Sequence, residues 1–256
     1  MRFDAATYGR SFADVYDRWY PPDADTDVAV QRLASLATAA ASRRSVDTAR
    51  VLELGVGTGR LALPLAAMGH AVTGMDSSVE MLEVLATKSD GAHTVHTVLG
   101  DVADGSAWPA GPFDIVIAAF NLLFNLAEEG SQQNVFDAAA AAIEAHGCLV
   151  VEAFLPAPLE MTERRLEVRE VTLDSVVLIA TDADAGSGLV TGQHVELRDG
   201  EPPRLRPWRI RVAMPDQIDA WAASAGLVLA ERHADWALSP FDPYGTAHVS
   251  VYRRRS

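Results

Sequence analysis

The sequence is poor in cysteine, in lysine and in long apolar runs, and each shortage removes a class of protein. One cysteine in 256 residues, Cys148, excludes an internal disulfide framework and a multi-cysteine zinc site. It sits in the apolar run GCLVVEAF and reads as a buried, inert thiol. No metal centre is expected. A single lysine, Lys88, stands beside 20 arginines, and 35 acidic residues bring the net charge to −14. A surface this acidic repels phosphate backbones and anionic lipids, so neither nucleic acid nor membrane is expected as a partner. The terminal Arg253-Arg254-Arg255 reads as a solvated end. No apolar run approaches the roughly 18 residues of a membrane helix, and MRFDAATYGR lacks a signal-peptide core, so the expected location is cytoplasmic. What the chain does have is apolar content, 49% of residues, enough for a sizeable core.

Apolar spacing predicts a helix over Asp27–Ser42. Beyond it strands and helices alternate: strand Val51–Leu54, helix Gly59–Met68, strand Ala71–Met75, helix Val79–Lys88 capped by Ser77 or Ser78, strands Thr94–Leu99 and Phe113–Ala119, helix Gln132–Ala145, strand Cys148–Phe154. That rhythm implies right-handed crossovers and a parallel sheet covered on both faces. From Leu166 to Ala213 it changes to four strand-like runs without helices, broken by the turn signals DADAGSG and RDGEPP. MPDQIDAWAASAG restores a helix, and two more strands close the chain. The expected class is α/β: a Rossmann-like seven-stranded, mostly parallel sheet with helices on both faces, plus an inserted antiparallel β-sheet. The expected division is an N-terminal helical lid over 1–45, a Rossmann-like domain over 46–157 and 214–256, and an inserted β subdomain over 158–213.

The stretch VLELGVGTGRLALPLAAMGHAVTGMDSS carries three glycines, Gly55, Gly57 and Gly59, between a strand and a helix. A dinucleotide loop wants G-x-G-x-x-G, but the third glycine falls one residue early and Arg60 occupies the last glycine position. No Gly-Lys-Ser/Thr follows, which excludes a P-loop. The pattern E-x-G-x-G-x-G resembles the first motif of class I S-adenosylmethionine (SAM)-dependent methyltransferases. The physics agrees, since glycine lets backbone approach a ligand with no β-carbon in the way. GMDSSVEML, GDV at Gly100–Val102, FDIVIAAFNLLFNL and GCLVVEAF resemble the family's later motifs in order and spacing, over roughly Tyr8 to Phe154.

The resemblance implies SAM as cofactor and S-adenosylhomocysteine (SAH) as product. It implies a cofactor site of Glu53, Gly55, Gly57, Gly59, Asp76 on the ribose hydroxyls, Ser77, Met81 on adenine, Asp101 near the adenine amino group, Val102, Phe120 and the lid residue Tyr16. YGRSFADVYDRWY resembles the lid of bacterial aminosugar N-methyltransferases, which places Tyr8 beside the transferred methyl. Where that group carries a basic His, this chain has Asn125, which holds a substrate by hydrogen bonds but takes no proton. Tyr8 and Asn125 are the expected catalytic pair. Tyr20, Asn121, Glu152, His194, Trp236 and Tyr244 are expected to meet the substrate. His194, His233 and His248 are the alternative bases. The implied activity is methyl transfer to N or O of a small molecule in bacterial specialised metabolism. A homodimer through the inserted sheet is also implied. Two other readings stay open on the residues alone: a SAM-binding natural-product enzyme of non-methyl-transfer chemistry such as cyclisation, and a non-catalytic SAM- or SAH-binding protein.

Overall fold

The structure is a computed structural model that describes residues 3–89, 91, 94–156 and 163–255. Helices α1 (Thr7–Phe12), α2 (Tyr16–Trp19) and α3 (Ala24–Arg43) lead into β1 (Arg50–Leu54), α4 (Ala62–Ala67), β2 (Ala71–Asp76), α5 (Val79–Lys88) and β3 (His96–Leu99). Then come β4 (Phe113–Ala118), α6 (Leu122–Asn125), α7 (Ser131–Ala142) and β5 (Ile143–Phe154). Strands β6 (Glu163–Val171), β7 (Ser175–Asp184), β8 (Leu189–Arg198) and β9 (Arg204–Arg211) precede α8 (Pro215–Ser224), β10 (Leu227–His233) and β11 (Ala247–Arg254).

Seven strands form one sheet in the order β10-β11-β5-β4-β1-β2-β3, parallel except for β11, which runs antiparallel to both β5 and β10. This is the expected Rossmann-like, mostly parallel seven-stranded sheet. Its central strands are apolar throughout because helices cover both faces, and β4 is buried at every residue. One core layer takes Leu33 and Ala37 of α3, Leu65 of α4 and Ile115 of β4. The other takes Leu52 of β1, Val135 and Phe136 of α7, and Ile218 of α8. Strands β6 to β9 form a separate antiparallel sheet.

The helix expected behind the glycines starts later, at Ala62, because Gly55, Gly57 and Gly59 all carry positive φ and hold the loop out of helix. Helix α5 has the expected limits, and its cap is Ser78, whose hydroxyl accepts from Met81 N at 3.3 Å. Within the N-terminal 45 residues the structure separates two roles. Helix α3 packs its buried stripe on the sheet, whereas α1 and α2 bridge to the second sheet. The expected boundary at 157/158 lies outside the described residues. Among the described residues, no helix is long and apolar enough to cross a membrane, and no cluster of His, Cys, Asp or Glu could hold a metal ion. Cys148 is fully buried, and burial pushes its thiol up to about 11.

Candidate active site

The sheet's parallel strands end along one edge, and a partly open cavity of about 120 Å³ lies there. The strand-end loops supply its floor: Gly55 and Gly57 after β1, Asp76 and Ser77 after β2, Asp101 and Val102 after β3, Phe120 after β4. Gly57 has φ +55°, and a β-carbon there would meet only Gly55 O at an ordinary 3.8 Å, so the loop presents bare backbone to the cavity. Gly59 faces inward instead: a β-carbon would press on Leu63 and Leu85 at 3.0 Å. Asp76 is 9% exposed and accepts from Gly57 N at 2.8 Å and Ser78 N at 2.9 Å. Burial raises its pKa against those two bonds. Each carboxylate oxygen keeps one lone pair for a ligand hydroxyl on the cavity side. This acceptor-rich, bare-backbone cradle with no lysine suits a ribose and an amino acid tail.

Tyr8, Gly9 and Tyr16 of the lid line the same cavity, with Met81 from α5 and Asn125 from α6. Tyr8 stacks on Phe12 with ring centroids 4.5 Å apart. Gly9 is a residue the sequence gave no reason to single out. A β-carbon there would lie 2.3 Å from Ser78 Cβ, so only glycine lets α1 seat on the α5 cap. The lid is tied to the cofactor loops by Ser77 Oγ donating to Ala5 O at 2.8 Å and by Thr58 Oγ1 donating to Asp17 at 2.7 Å. Lys88 joins that knot, 2.5 Å from Asp17 and 3.0 Å from Thr58 O. The second sheet clamps the lid from the other side. Arg206, 1% exposed, donates to Ser11 O and Asp14 at 2.6 Å and to Glu196 at 3.0 Å. Arg169 donates to Trp19 O at 3.2 Å and lies 4.9 Å from the Trp19 and Tyr20 rings.

Burial pushes the Tyr16 phenol up to about 12 and the Tyr8 phenol well above its usual value, so both are neutral donors near pH 7. A second cavity adjoins the first through Tyr8, Asp101 and Asn125, and reaches Trp208, Arg209 and Glu128, the last two paired as an ion pair.

The expected site residues thus divide. Tyr8, Tyr16, Gly55, Gly57, Asp76, Ser77, Met81, Asp101, Val102, Phe120 and Asn125 come together around one cavity. Glu53 lies beneath the loop, 5% exposed, with Oε2 unpartnered among the described residues, and burial pushes its carboxyl up to about 8. Tyr20 stands behind Phe120, ring centroids 5.9 Å apart. Glu152 and Trp236 border a third cavity on the far side of Phe120, with Arg60. Asn121 turns its side chain to the backbone, accepting from Phe154 N at 2.7 Å. His194 sits elsewhere: it packs between Phe12 and Trp19 under the lid and its Nδ1 accepts from the Trp208 indole at 3.0 Å. Burial lowers its pKa to about 4. Tyr244 is 94% exposed on a loop and lines none of the cavities described here. His248 is fully buried beside Ser250, and His233 lies 3.6 Å from Glu231. None of the three histidines lines the cofactor cavity.

Fold and cavity define a class I methyltransferase-like cofactor site, and comparison with known proteins carries this further. Residues 51–147 match a methyltransferase domain family. The CcbJ methyltransferase of Streptomyces caelestis is 36% identical over 99% of this chain and 100% of its own, with a TM-score of 0.88. The sugar N-methyltransferase KedS8 of a Streptoalloteichus species shares the fold at 15% identity, over 94% of this chain and 92% of its own, with a TM-score of 0.67. SAM-bound CalS10, an amino pentose methyltransferase of Micromonospora echinaspora involved in calicheamicin biosynthesis, shares it at 17% identity, over 98% of each chain, with a TM-score of 0.66. No curated protein sequence matches. The chain belongs to the SAM-dependent methyltransferases, and its cofactor is SAM.

Proposed function

We propose that the protein methylates a nitrogen of a small-molecule amine in bacterial specialised metabolism. The protonation state of the cavity wall carries this reading. Bound SAM supplies an electrophilic methyl on a sulfonium. Among the described lining residues there is no His or Lys, Tyr8 and Tyr16 are neutral phenols, and Asn125 takes no proton. Of the two lining carboxylates, Asp76 turns its remaining lone pairs to the ribose and Asp101 accepts from Ala103 N at 2.9 Å through Oδ1. A hydroxyl acceptor needs a base during transfer. An amine sheds its ammonium proton to water before binding, enters as the neutral fraction with its lone pair free, and loses a second proton to water after transfer. Tyr8 and Asn125 then act as donors and shape, orienting the acceptor rather than deprotonating it, and alignment alone supplies several kcal/mol. That KedS8 and CalS10 act on sugars, an amino pentose in the second case, supports the same class of acceptor. SAM with a labelled methyl, offered to matched amine and alcohol pools, should label amines alone; equal labelling of alcohols refutes the reading.

The same proposal includes the quaternary state and location. Strand pairing puts Leu166, Val168, Val171 and Leu205 on the outward face of the second sheet, 59–68% exposed. An apolar face of this kind suits a second copy of the chain, which light scattering would register as a dimer. Leu166→Glu with Val168→Glu should give a monomer. The single buried cysteine fits a cytoplasmic setting.

A further inference from the structure

The turn after β4 is held in a conformation that its own residues disfavour. Phe120 and Asn121 have φ of +53° and +62°, two consecutive non-glycine residues in the left-handed region. A β-carbon crowds the following carbonyl there, so each such residue is sterically disfavoured. Asn121 offsets this with its side-chain bond to Phe154 N. Phe120 has no polar atom beyond its backbone, so its conformation is imposed from outside.

Glu152 of β5 imposes it. Its Oε2 accepts from Phe120 N at 2.7 Å, and its main-chain oxygen accepts from Asn121 N at 3.2 Å. Its Oε1 accepts from the Trp236 indole at 2.8 Å, and Trp236 is itself 7% exposed. A carboxylate held by two donors cannot swing into the cavity. The product of this arrangement is the place of one ring. Phe120 lines the cofactor cavity, with the Arg60 guanidinium 3.6 Å from its centroid and Tyr20 against its edge.

The geometry points to Glu152 as a positioning residue of the cofactor cavity that acts through Phe120, with Trp236 fixing its second oxygen. The inference rests on the reading of this cavity as the SAM site and is independent of which acceptor is methylated. Glu152→Gln is the sharp variant. It keeps shape but offers one acceptor and one donor to two facing donors, so either Phe120 N or the Trp236 indole loses its partner and the turn relaxes.

The test is a double-mutant cycle on SAH binding by calorimetry, with no acceptor present. Phe120→Ala should weaken SAH about tenfold by removing the ring from the cavity wall. Glu152→Gln should weaken it about three- to tenfold, and the double variant should bind no worse than Phe120→Ala alone, because Glu152 has nothing left to position. The Trp236 indole N–H resonance should move upfield in Glu152→Gln. If Glu152→Gln fails to fold, Trp236→Phe replaces it in the cycle, with a smaller weakening that again vanishes beside Phe120→Ala. Losses that multiply, or wild-type SAH affinity in Glu152→Gln, overturn the positioning role while leaving the cofactor site intact. Absence of SAH binding by the unaltered protein overturns the cofactor reading and this inference with it.

Discussion

Two turns at the same edge of the sheet need left-handed backbone, and they obtain it in opposite ways. After β1, glycines take it: Gly55, Gly57 and Gly59 have φ of +61°, +55° and +86°. After β4, Phe120 and Asn121 take it, with no glycine in the turn. The carboxylates beside the two turns differ in the same sense. Glu53 is sealed under the glycine loop with an oxygen unpartnered among the described residues, whereas both oxygens of Glu152 are bonded. A glycine turn needs no external support and can tolerate an unsatisfied neighbour. A turn made of Phe and Asn persists only where its surroundings over-determine it.

The comparison breaks most visibly at Glu53. Its carboxyl titrates at about 8 in the folded protein against 4.5 as an ordinary glutamate. Between those values the folded state holds a proton that the unfolded chain releases. The resulting stability is therefore full below about 4.5 and is lost as pH rises through about 8. The loss approaches ~1.4 kcal/mol per pH unit, the largest effect expected here. Denaturant unfolding of the ligand-free protein, compared with Glu53→Gln, whose amide does not ionise, should show wild type falling behind the variant as pH rises from about 4.5 to about 8; a flat difference refutes it.

Asp76→Ala comes next. It removes the acceptor of Gly57 N and Ser78 N together with the group facing the ribose, and should weaken SAM by about 1–3 kcal/mol. Unchanged calorimetric affinity would remove Asp76 from the cofactor site. Gly57→Ala isolates backbone strain, because its β-carbon meets nothing nearer than Gly55 O at 3.8 Å. It should cost about 1–2 kcal/mol of stability. The smallest effect sharpens the contrast from the other turn. Asn121→Gly loses one hydrogen bond but relieves the left-handed cost, so it should stay within about 0.5 kcal/mol of wild type. Asn121→Ala loses the bond and keeps the strain, and should cost about 1–2 kcal/mol. Equal thermal shifts for the two variants would show that the turn is not strained.

The glycine turn was legible in the sequence and the other was not, for one reason. Glycine marks a left-handed position by its identity, whereas Phe120 reaches one through Glu152, which lies 32 residues away in sequence. Asn121 and Trp236 were read from position as substrate contacts, yet one bonds to the Phe154 backbone and the other to Glu152. By sequence, His194 is a candidate substrate contact and one of three alternative bases. The register of β8 instead turns it inward under Phe12 and Trp19, where imidazole is buried and neutral.

The amino-acid pattern by itself determined the strand and helix alternation, the change to an antiparallel insert and the glycine loop, while the cofactor class came from the resemblance of its ordered motifs to a known family. The first three follow from local periodicity or from a residue type that acts through its own backbone. Only the tertiary structure decided that Arg206 of the insert and Lys88 of α5 hold the lid from two sides, that Gly9 lets the lid close on Ser78, and which oxygen of Glu152 faces which donor. Those contacts join residues far apart in sequence, and a buried ion pair or a steric fit has no periodicity to announce it.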